Sequence, residues 1–271
     1  MFDLYINFKS KKMPLANING NEINYKDTGG DKPAIIFSHG FFMNLSSFDP
    51  QLEILKDKYR CISWDERGFG GSVAKENFTY WDSAQDSISL LEYLNINNAV
   101  FAGVSKGGFI SLRAYLTNPN VVKGIILIGS DSGTFDNDQQ VEFANLTDHW
   151  CSTNPLGEAG EAVGEVYFGD DPQKKSWIEL WEKSDRSNIK YPARALLLRD
   201  NITHKLKDIK CPFLIIHGEK DSAITIDKAE ALSKRVPNLY KFLRIKDGPH
   251  GPNMTHAQET NNAIIDFMEN I

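Results

Sequence analysis

The stretch that decides the fold reads NAVFAGVSKGGFISLRAYL and spans Asn98–Leu116. Its first part is a short run of apolar and small residues, typical of a buried strand, and its second part carries apolar residues at helical spacing. Between the two, Ser105 is flanked two positions away on each side by Gly103 and Gly107. This spacing predicts a sharp strand-to-helix turn with a serine at its tip, because a Cβ at either flanking position would collide with neighbouring backbone.

Such a turn exposes the hydroxyl of Ser105 above the sheet. It also puts the residue at a helix N-terminus, where unpaired N–H groups favour negative charge. A serine hydroxyl is a weak nucleophile at neutral pH, so it needs a base within hydrogen-bond reach and an acid that holds this base. The rest of the chain therefore has to supply both partners.

The composition is that of an ordinary globular protein and narrows the class of partner. The chain has 271 residues, of which 41% are hydrophobic and 24% charged, enough for one large domain. Its net charge of −6 argues against a nucleic-acid partner, because nucleic acids bind to basic faces. The sequence shows neither an apolar run near the roughly 20 residues of a membrane span nor the apolar segment of a signal peptide. We therefore expect a cytoplasmic protein that acts on a small molecule, with no nucleic-acid or membrane partner.

The sequence gives no sign of a bound cofactor. Its three cysteines, Cys61, Cys151 and Cys211, are scattered and predict buried free thiols in a reducing compartment. The spacing of histidine, cysteine and aspartate residues indicates no metal site, and no glycine-rich loop has the P-loop form. We expect neither a metal nor another cofactor, and the sequence leaves open whether the protein is a monomer or a homodimer.

Strands and helices alternate along most of the chain. Asn19-Gly20 predicts a two-residue hairpin near the start. The predicted strands are 15–18, 22–26, 34–38, 59–64, 99–102, 122–129, 212–217 and 240–245. The predicted helices outside the opening stretch are 46–58, 79–95 (capped by Thr79), 139–150, 157–168, 174–183, 226–236 and 256–269 (capped by Thr255). This alternation predicts an α/β fold with a mostly parallel, doubly wound sheet.

The alternation lapses between residues 132 and 204, where helical segments occur without a clear strand. This lapse predicts a helical cap insertion that lies over one edge of the sheet. We therefore expect a core domain formed by residues 13–131 and 205–271, a cap over 132–204, and an N-terminal extension over 1–12.

Chemically active residues follow several of the predicted strands. His39, Ser105, Asp221 and His250 all lie where a strand ends or in the loop beyond it. Parallel sheets bind ligands at the carboxyl ends of their strands, so these side chains are expected to meet. The chain order Ser105, Asp221, His250 is that of a nucleophile, an acid and a base in serine hydrolases on this architecture.

With these motifs the sequence resembles the α/β-hydrolase superfamily, in particular its esterase- and haloperoxidase-like members with a serine nucleophile. The resemblance covers nearly the whole chain from Met13 onward. The matching pieces are His39-Gly40, Asp65-x-Arg67-Gly68-x-Gly70, Gly103-x-Ser105-x-Gly107-Gly108, His217-Gly218-x-x-Asp221 and Gly248-x-His250.

This resemblance implies a role for each matching residue. Ser105 is implied as the nucleophile, His250 as the general base and then general acid, and Asp221 as the carboxylate that orients the histidine. The backbone N–H groups of Phe41 and Lys106 are implied as the oxyanion hole.

Several of these positions keep a second interpretation. Asp131 also ends a strand next to the nucleophile strand and is the alternative acid. The side chain of Lys106 either meets an anionic group of the substrate, pairs with a neighbouring carboxylate or points to solvent. His39 is expected to shape the oxyanion loop, and Asp65 and Arg67 are expected to form an ion-paired turn.

Aromatic residues are the candidates for binding the substrate. Trp177 and Trp181 are four residues apart and share one helical face. They either pack the insertion onto the core or help to line an apolar pocket over Ser105 that excludes water. The substrate-binding candidates are Phe42, Trp150, Trp177 and Trp181.

The leading prediction is a serine hydrolase that cleaves a carboxylic ester or lactone of a small, mostly apolar substrate through an acyl-enzyme. The alternative is a cofactor-free perhydrolase or haloperoxidase, or a C–C bond hydrolase, with the same triad. A second alternative is a non-catalytic receptor or scaffold on the same fold. An epoxide hydrolase or dehalogenase would need a carboxylate nucleophile at position 105, where the chain has serine.

Overall fold

The computed structural model describes residues 14–271. The expected extension over residues 1–12 and the expected start of the core domain at Met13 lie outside the described residues. The strands are β1 Leu15–Ile18, β2 Asn21–Asp27, β3 Ala34–Ser38, β4 Arg60–Trp64, β5 Ala99–Val104, β6 Val122–Ile128, β7 Phe213–Gly218 and β8 Leu239–Ile245. The helices are α1 Asp49–Leu55, α2 Tyr80–Tyr93, α3 Lys106–Thr117, α4 Asn137–Cys151, α5 Glu158–Phe168, α6 Gln173–Lys183, α7 Lys190–Leu197, α8 Ile226–Ser233, α9 Pro252–Thr255 and α10 Ala257–Asn270.

All eight strands form one mixed sheet in the order β1-β2-β4-β3-β5-β6-β7-β8. The pairs β1–β2 and β2–β4 are antiparallel, and every other pair is parallel. Every residue of β3, β5 and β7 is buried, because helices cover both faces of the central sheet. The predicted α/β class with a mostly parallel sheet is confirmed.

The hairpin at the start of the sheet has the predicted turn. Asn19 and Gly20 connect β1 to β2 and both have positive φ, at 48° and 81°. A two-residue turn of this kind matches the twist of the flanking strands, which explains the Asn-Gly pair.

Four helices, α4 to α7, occupy the stretch between β6 and β7, and residues 132–204 contain no strand. The first three of these helices have the predicted positions, whereas α7 was not predicted. Pro192 is the third residue of α7. Proline is accepted in the first turn because N–H groups there have no partner within the helix. No helix within residues 14–271 is both long and apolar enough to cross a membrane.

The two predicted helix caps have different outcomes. Thr79 caps α2 and forms a reciprocal capping box with Asp82, as predicted. The predicted cap at Thr255 is wrong. Thr255 ends the short helix α9, and α10 begins at Ala257 without a side-chain cap. The hydroxyl of Thr255 bonds to the carbonyl oxygen of Gly251, one turn earlier.

The turn between β5 and α3 holds Ser105 in a strained conformation, with φ at 52° and ψ at −116°. Its two flanking glycines permit this turn. A Cβ at Gly103 would lie 2.1 Å from the carbonyl carbon of Gly107, and a Cβ at Gly107 would lie 1.9 Å from the carbonyl oxygen of Ser38. Because both obstacles are backbone atoms, they cannot rotate away, and only glycine fits.

Gly107→Ala is therefore expected to lower the free energy of unfolding by about 3 kcal/mol, since β3 or α3 has to shift to admit the methyl group. Gly133→Ala is the matched control, because its Cβ would meet nothing closer than 3.8 Å. That change is expected to stay within about 0.5 kcal/mol. Chemical denaturation of both variants measures the difference, and equal stabilities would contradict the steric account.

Candidate active site

The backbone of Ser105 is held by hydrogen bonds on both sides of the residue. Its N–H donates to the carbonyl oxygen of Ile128 at 2.9 Å, and its carbonyl oxygen accepts from the Ser130 hydroxyl at 2.8 Å. Both partners come from the end of β6 and the residues after it, so the neighbouring strand supports the strained turn. The side chain is half-buried and faces a cavity.

His250 and Asp221 form a buried hydrogen-bonded pair. His250 Nδ1 and Asp221 Oδ2 are 2.7 Å apart, while Asp221 Oδ1 accepts from the N–H groups of Ala223 and Ile224 at 2.9 Å each. With the proton of His250 on Nδ1, Nε2 is the nitrogen that accepts a proton. Burial raises the pKa of Asp221, but the adjacent His250 outweighs it and holds this pKa below its usual value.

The alternative acid, Asp131, does not bind His250. One of its carboxylate oxygens accepts instead from the backbone N–H of Gly133 at 2.9 Å, and the residue is half-buried at the cavity wall. Of the two candidate acids, Asp221 is thus the one in position to orient the histidine.

Ser105 and His250 border the same cavity, which has a volume of about 340 Å³. Phe41 and Phe42 border it too. Much of its remaining wall is apolar and includes Phe109, Phe135, Phe143, Leu146, Val163 and Leu196. A serine and a histidine that border one largely apolar cavity are suited to acyl transfer.

The N–H groups of Phe41 and Lys106 donate to no atom of residues 14–271. The peptide that carries the Phe41 N–H is held at its other end, because His39 Nδ1 bonds to the carbonyl oxygen of Gly40 at 2.8 Å. The Tyr167 hydroxyl donates to the carbonyl oxygen of Phe41 at 2.8 Å. Fixed, unpaired donors beside the serine fit the predicted oxyanion hole, which stays a prediction.

The side chain of Lys106 runs into the protein and pairs with a carboxylate, one of the interpretations left open by the sequence. Its Nζ lies 2.5 Å from Glu66 Oε2, and both side chains are 1% exposed. Phe69 lies under the same ammonium at 4.5 Å. Burial lowers the pKa of Lys106, and the charge of Glu66 offsets part of this effect. Lys106 is therefore not available to an anionic substrate.

His39 connects the backbone beside this ion pair to the loop after β3, which is the predicted oxyanion loop. Its Nε2 accepts from the backbone N–H of Glu66 at 3.2 Å, and its Nδ1 donates to the Gly40 carbonyl. Burial, and next the charge of Lys106, hold the pKa of His39 well below its usual value. A neutral imidazole thus connects the strand end after β4 to the loop after β3, which is the loop-shaping role predicted for it.

The predicted turn at Asp65 and Arg67 is fixed by separate contacts of its two charged residues. Asp65 accepts from the backbone N–H groups of Leu45 and Gly71, at 2.7 and 2.8 Å. Arg67 instead pairs with Asp86 on α2 through both of its carboxylate oxygens. Of the two predicted residues only Arg67 forms an ion pair within residues 14–271, and Glu66 between them pairs with Lys106.

The structure corrects the predicted placement of Trp150, Trp177 and Trp181. None of the three borders the cavity that contains Ser105, whereas Phe42 does. Trp150 packs against the outer side of Phe42 with ring centroids 4.0 Å apart, and Trp181 packs on Trp150 at 5.4 Å. Trp177 continues the stack at 6.1 Å from Trp181. The tryptophans lie behind Phe42, where large aromatic side chains bury apolar area on one another in tilted and edge-to-face pairs.

Sequence reasoning missed two residues of the site, Tyr167 and Arg199. Tyr167 packs on the ring of His250 with centroids 5.0 Å apart, and both missed residues border the cavity. They lie between β6 and β7, where the sequence carries no motif, and no local signal marks them. Within residues 14–271 no group of three or more histidine, cysteine, aspartate or glutamate side chains is placed to hold a metal ion.

Comparison with known proteins identifies the family of the fold. The family described as "alpha/beta hydrolase fold" matches residues 33–257. The chain is 26% identical to 3-oxoadipate enol-lactonase 1 of Acinetobacter baylyi, covering 95% of this chain and 97% of the relative. It is also 26% identical to the bifunctional esterase/perhydrolase DCH of Acinetobacter calcoaceticus, covering 92% and 96%. Among solved structures, the enol-lactonase of Burkholderia xenovorans superimposes with a TM-score of 0.86 at 22% identity, covering 94% and 100%.

The Lys106–Glu66 pair gives a prediction about stability. Lys106→Met and Glu66→Met are each expected to lower the free energy of unfolding by about 3–5 kcal/mol, because each leaves one buried charge unpaired. The double variant is expected to lose less stability than the two single variants together, because neither charge of the pair remains buried. Chemical denaturation of the four proteins measures this coupling, and additive losses would show that the two charges do not stabilise each other.

The neutral state of His39 gives a prediction about pH. Because its pKa is lowered in the folded protein, the unfolded chain binds a proton first, at its ordinary pKa of about 6.5. His39 therefore stabilises the fold above that pH, and its contribution falls as the pH drops toward the folded-state pKa. Between pH 7 and pH 5, the unfolding free energy of wild type is expected to fall by about 2 kcal/mol more than that of His39→Gln.

His217, whose pKa is also lowered by burial, adds to the same decline in all the proteins compared. His204→Gln is the matched control, because the His204 side chain is exposed. If both variants show the wild-type decline, a buried neutral His39 is ruled out.

Proposed function

Because this chain belongs to the α/β-hydrolase fold family, matched over residues 33–257, we propose that it is a serine hydrolase that cleaves a carboxylic ester or lactone through an acyl-enzyme. The observation that carries the proposal is the placement of Ser105 and the Asp221-held His250 on one apolar cavity. The cavity volume of about 340 Å³ suits a small substrate.

The proposed reaction begins with attack of Ser105 Oγ on the carbonyl carbon, while His250 Nε2 accepts the hydroxyl proton. The carbonyl oxygen takes up the negative charge, which the N–H groups of Phe41 and Lys106 stabilise. The C–O bond to the alcohol then breaks, and His250 returns the proton to the leaving oxygen. In a lactone this alcohol stays attached to the acyl group.

Water completes the cycle by the same route. It attacks the acyl carbon while His250 accepts one of its protons, and Ser105 leaves with that proton as the acid is released. Asp221 stays ionised throughout and stabilises the imidazolium that forms twice in each cycle. Its lowered pKa fits this task.

Ester or lactone hydrolysis is preferred over perhydrolysis on general grounds, since water is the nucleophile always present. The similarity to an enol-lactonase and to an esterase/perhydrolase, each at 26% identity, supports this class of acyl chemistry. If hydrogen peroxide replaces water in the second half of the cycle, the same site yields a peracid, which is the perhydrolase alternative.

Ser105→Ala is expected to lower kcat on p-nitrophenyl acetate and butyrate by about 10⁶-fold, to the level of background hydrolysis, because the nucleophile is removed. A fluorophosphonate probe is expected to label the wild-type protein and to leave Ser105→Ala unlabelled. Ser222→Ala, which removes an exposed serine bordering the same cavity, is the control that should still be labelled.

Rates with and without hydrogen peroxide separate hydrolysis from perhydrolysis in the same assay. A folded wild-type protein that neither turns over any ester or lactone nor reacts with the probe would refute the hydrolase and favour the receptor or scaffold alternative.

A further inference from the structure

One buried cation stands in the wall of the candidate active site. Arg199 follows α7 and borders the cavity together with Ser105 and His250. The residue is only 9% exposed. An arginine is rarely buried to this extent without a partner of opposite charge.

The guanidinium of Arg199 is held in one orientation by neutral groups. Its Nε donates to the carbonyl oxygen of Gly133 at 3.0 Å and its Nη1 to that of Leu196 at 2.7 Å. The rings of Phe135 and Phe109 lie 4.3 and 4.8 Å from the guanidinium carbon. Two backbone carbonyls and two aromatic rings fix the group without neutralising its charge.

No carboxylate oxygen of residues 14–271 lies within 4.0 Å of this guanidinium. Two other buried arginines, Arg67 and Arg113, differ in this respect. Arg67 has a carboxylate oxygen of Asp86 at 2.5 Å, and Arg113 has one of Asp200 at 2.7 Å. Arg186, also 9% exposed, has no carboxylate of residues 14–271 within 4.0 Å either, but it does not border this cavity. Burial lowers the pKa of Arg199, and the opposing effects of Tyr80 and then of Asp131, which forms no ion pair with it, are too weak to cancel this shift. The Arg199 charge is therefore buried without a direct counter-ion in the protein.

The remaining nitrogen of Arg199 is Nη2, and the residue that carries it borders the cavity. Nη2 donates to no atom of residues 14–271. It is also not one of the fully buried polar atoms, so it remains accessible. Since the residue borders the cavity, an acceptor there would reach Nη2 directly. A guanidinium presents N–H groups in a fixed plane that suits the two oxygens of a carboxylate.

Other charged residues border the cavity but are less buried. Asp131 and Lys228 are half-buried, and Glu142 is exposed. Their charges are screened by solvent to a greater extent than that of Arg199. Arg199 is consequently the charge that a bound substrate would meet away from water.

We propose that Arg199 binds a carboxylate of the substrate, so that the substrate is a small ester or lactone with an apolar stem and an anionic end. This inference rests on the proposed hydrolase function and narrows its substrate class. Phe109, which packs on Arg199, lies one helical turn from Ser105, about 6 Å along α3. The carboxylate and the carbonyl that Ser105 attacks are thus separated by a chain of a few carbon atoms.

The test compares anionic and neutral substrates of matched shape. One pair, with the charge on the acyl side, is p-nitrophenyl hydrogen glutarate and p-nitrophenyl pentanoate. The second pair, with the charge on the leaving group, is 4-acetoxybenzoate and 4-acetoxybenzamide. Each pair is assayed with wild type, Arg199→Met, Arg199→Lys and Arg194→Met. Arg194→Met is the matched control, because it also removes one positive charge but at an exposed side chain on α7.

In one of the two pairs the wild-type kcat/KM is expected to favour the anionic member at least tenfold. Arg199→Met is expected to lower this ratio 10- to 100-fold, as expected for loss of a charge-assisted hydrogen bond. Arg199→Lys should restore part of the ratio, and Arg194→Met should keep it. A wild-type preference for the neutral member in both pairs would overturn the proposal. So would an Arg199→Met variant that lowers kcat/KM of both members alike, because the arginine would then serve packing alone.

A measurement on the wild-type protein covers the case in which Arg199→Met does not fold. Butyrate and glutarate are expected to inhibit hydrolysis of p-nitrophenyl acetate with inhibition constants at least tenfold below that of butyramide. Equal inhibition by acid and amide would refute the anion site.

If no ester is cleaved and no probe reacts, the hydrolase proposal fails. Calorimetric titration of glutarate against butyramide then decides the Arg199 site independently.

Discussion

The structure depends on one steric constraint, the contact between two backbone segments at Gly107. A Cβ there would lie 1.9 Å from the carbonyl oxygen of Ser38, so β3 and the start of α3 touch with only a hydrogen atom between them. This contact positions two groups at once. Ser105 stands two residues before Gly107, and Ser38 leads directly into His39, Gly40 and Phe41. The positions of the proposed nucleophile, Ser105, and of the proposed N–H donor, Phe41, relative to the sheet are therefore set by the same contact.

Glycines at the ends of the next two strands bring the histidine to the serine in the same way. At Gly218, the last residue of β7, a Cβ would lie 2.1 Å from the carbonyl oxygen of Gly248, two residues before His250. At Gly129, just after β6, it would lie 2.8 Å from the carbonyl oxygen of His250 itself. The last loop of the chain can thus lie flat on the carboxyl edge of the sheet. Close packing of backbone, more than any single hydrogen bond, assembles the site.

Features that depend on neighbouring residues in the chain were predictable, and features that depend on distant segments were not. The Asn19-Gly20 hairpin, the apolar strand β3 and the turn around Ser105 follow from local steric rules, and the structure has all three. The tryptophans were misplaced because helical spacing gives the shared face of a helix but not the partner of that face. Arg199 was missed because an unpaired buried charge becomes visible only when every surrounding segment is in place.

The helices between β6 and β7 hold the reactive groups as well as enclosing the cavity. The backbone N–H groups of His250 and Gly251 donate to the carbonyl oxygens of Val166 and Tyr167 near the end of α5, at 3.0 and 3.1 Å. The Tyr167 hydroxyl binds the carbonyl oxygen of Phe41 at 2.8 Å. One turn of α5 thus fixes both the loop of the proposed base and the loop of the proposed oxyanion donor.

The tryptophan cluster contacts the same loop through Phe42. The φ of Phe42 is 62°, which is strained for a residue with a large side chain. Trp150 packs on the Phe42 ring at 4.0 Å and holds it against the cavity. Residues far from the substrate therefore maintain the conformation next to the proposed oxyanion donor. The helices that shape the cavity therefore also hold the loops of the proposed donor and the proposed base, so the shape of the cavity and the positions of these two loops depend on the same packing.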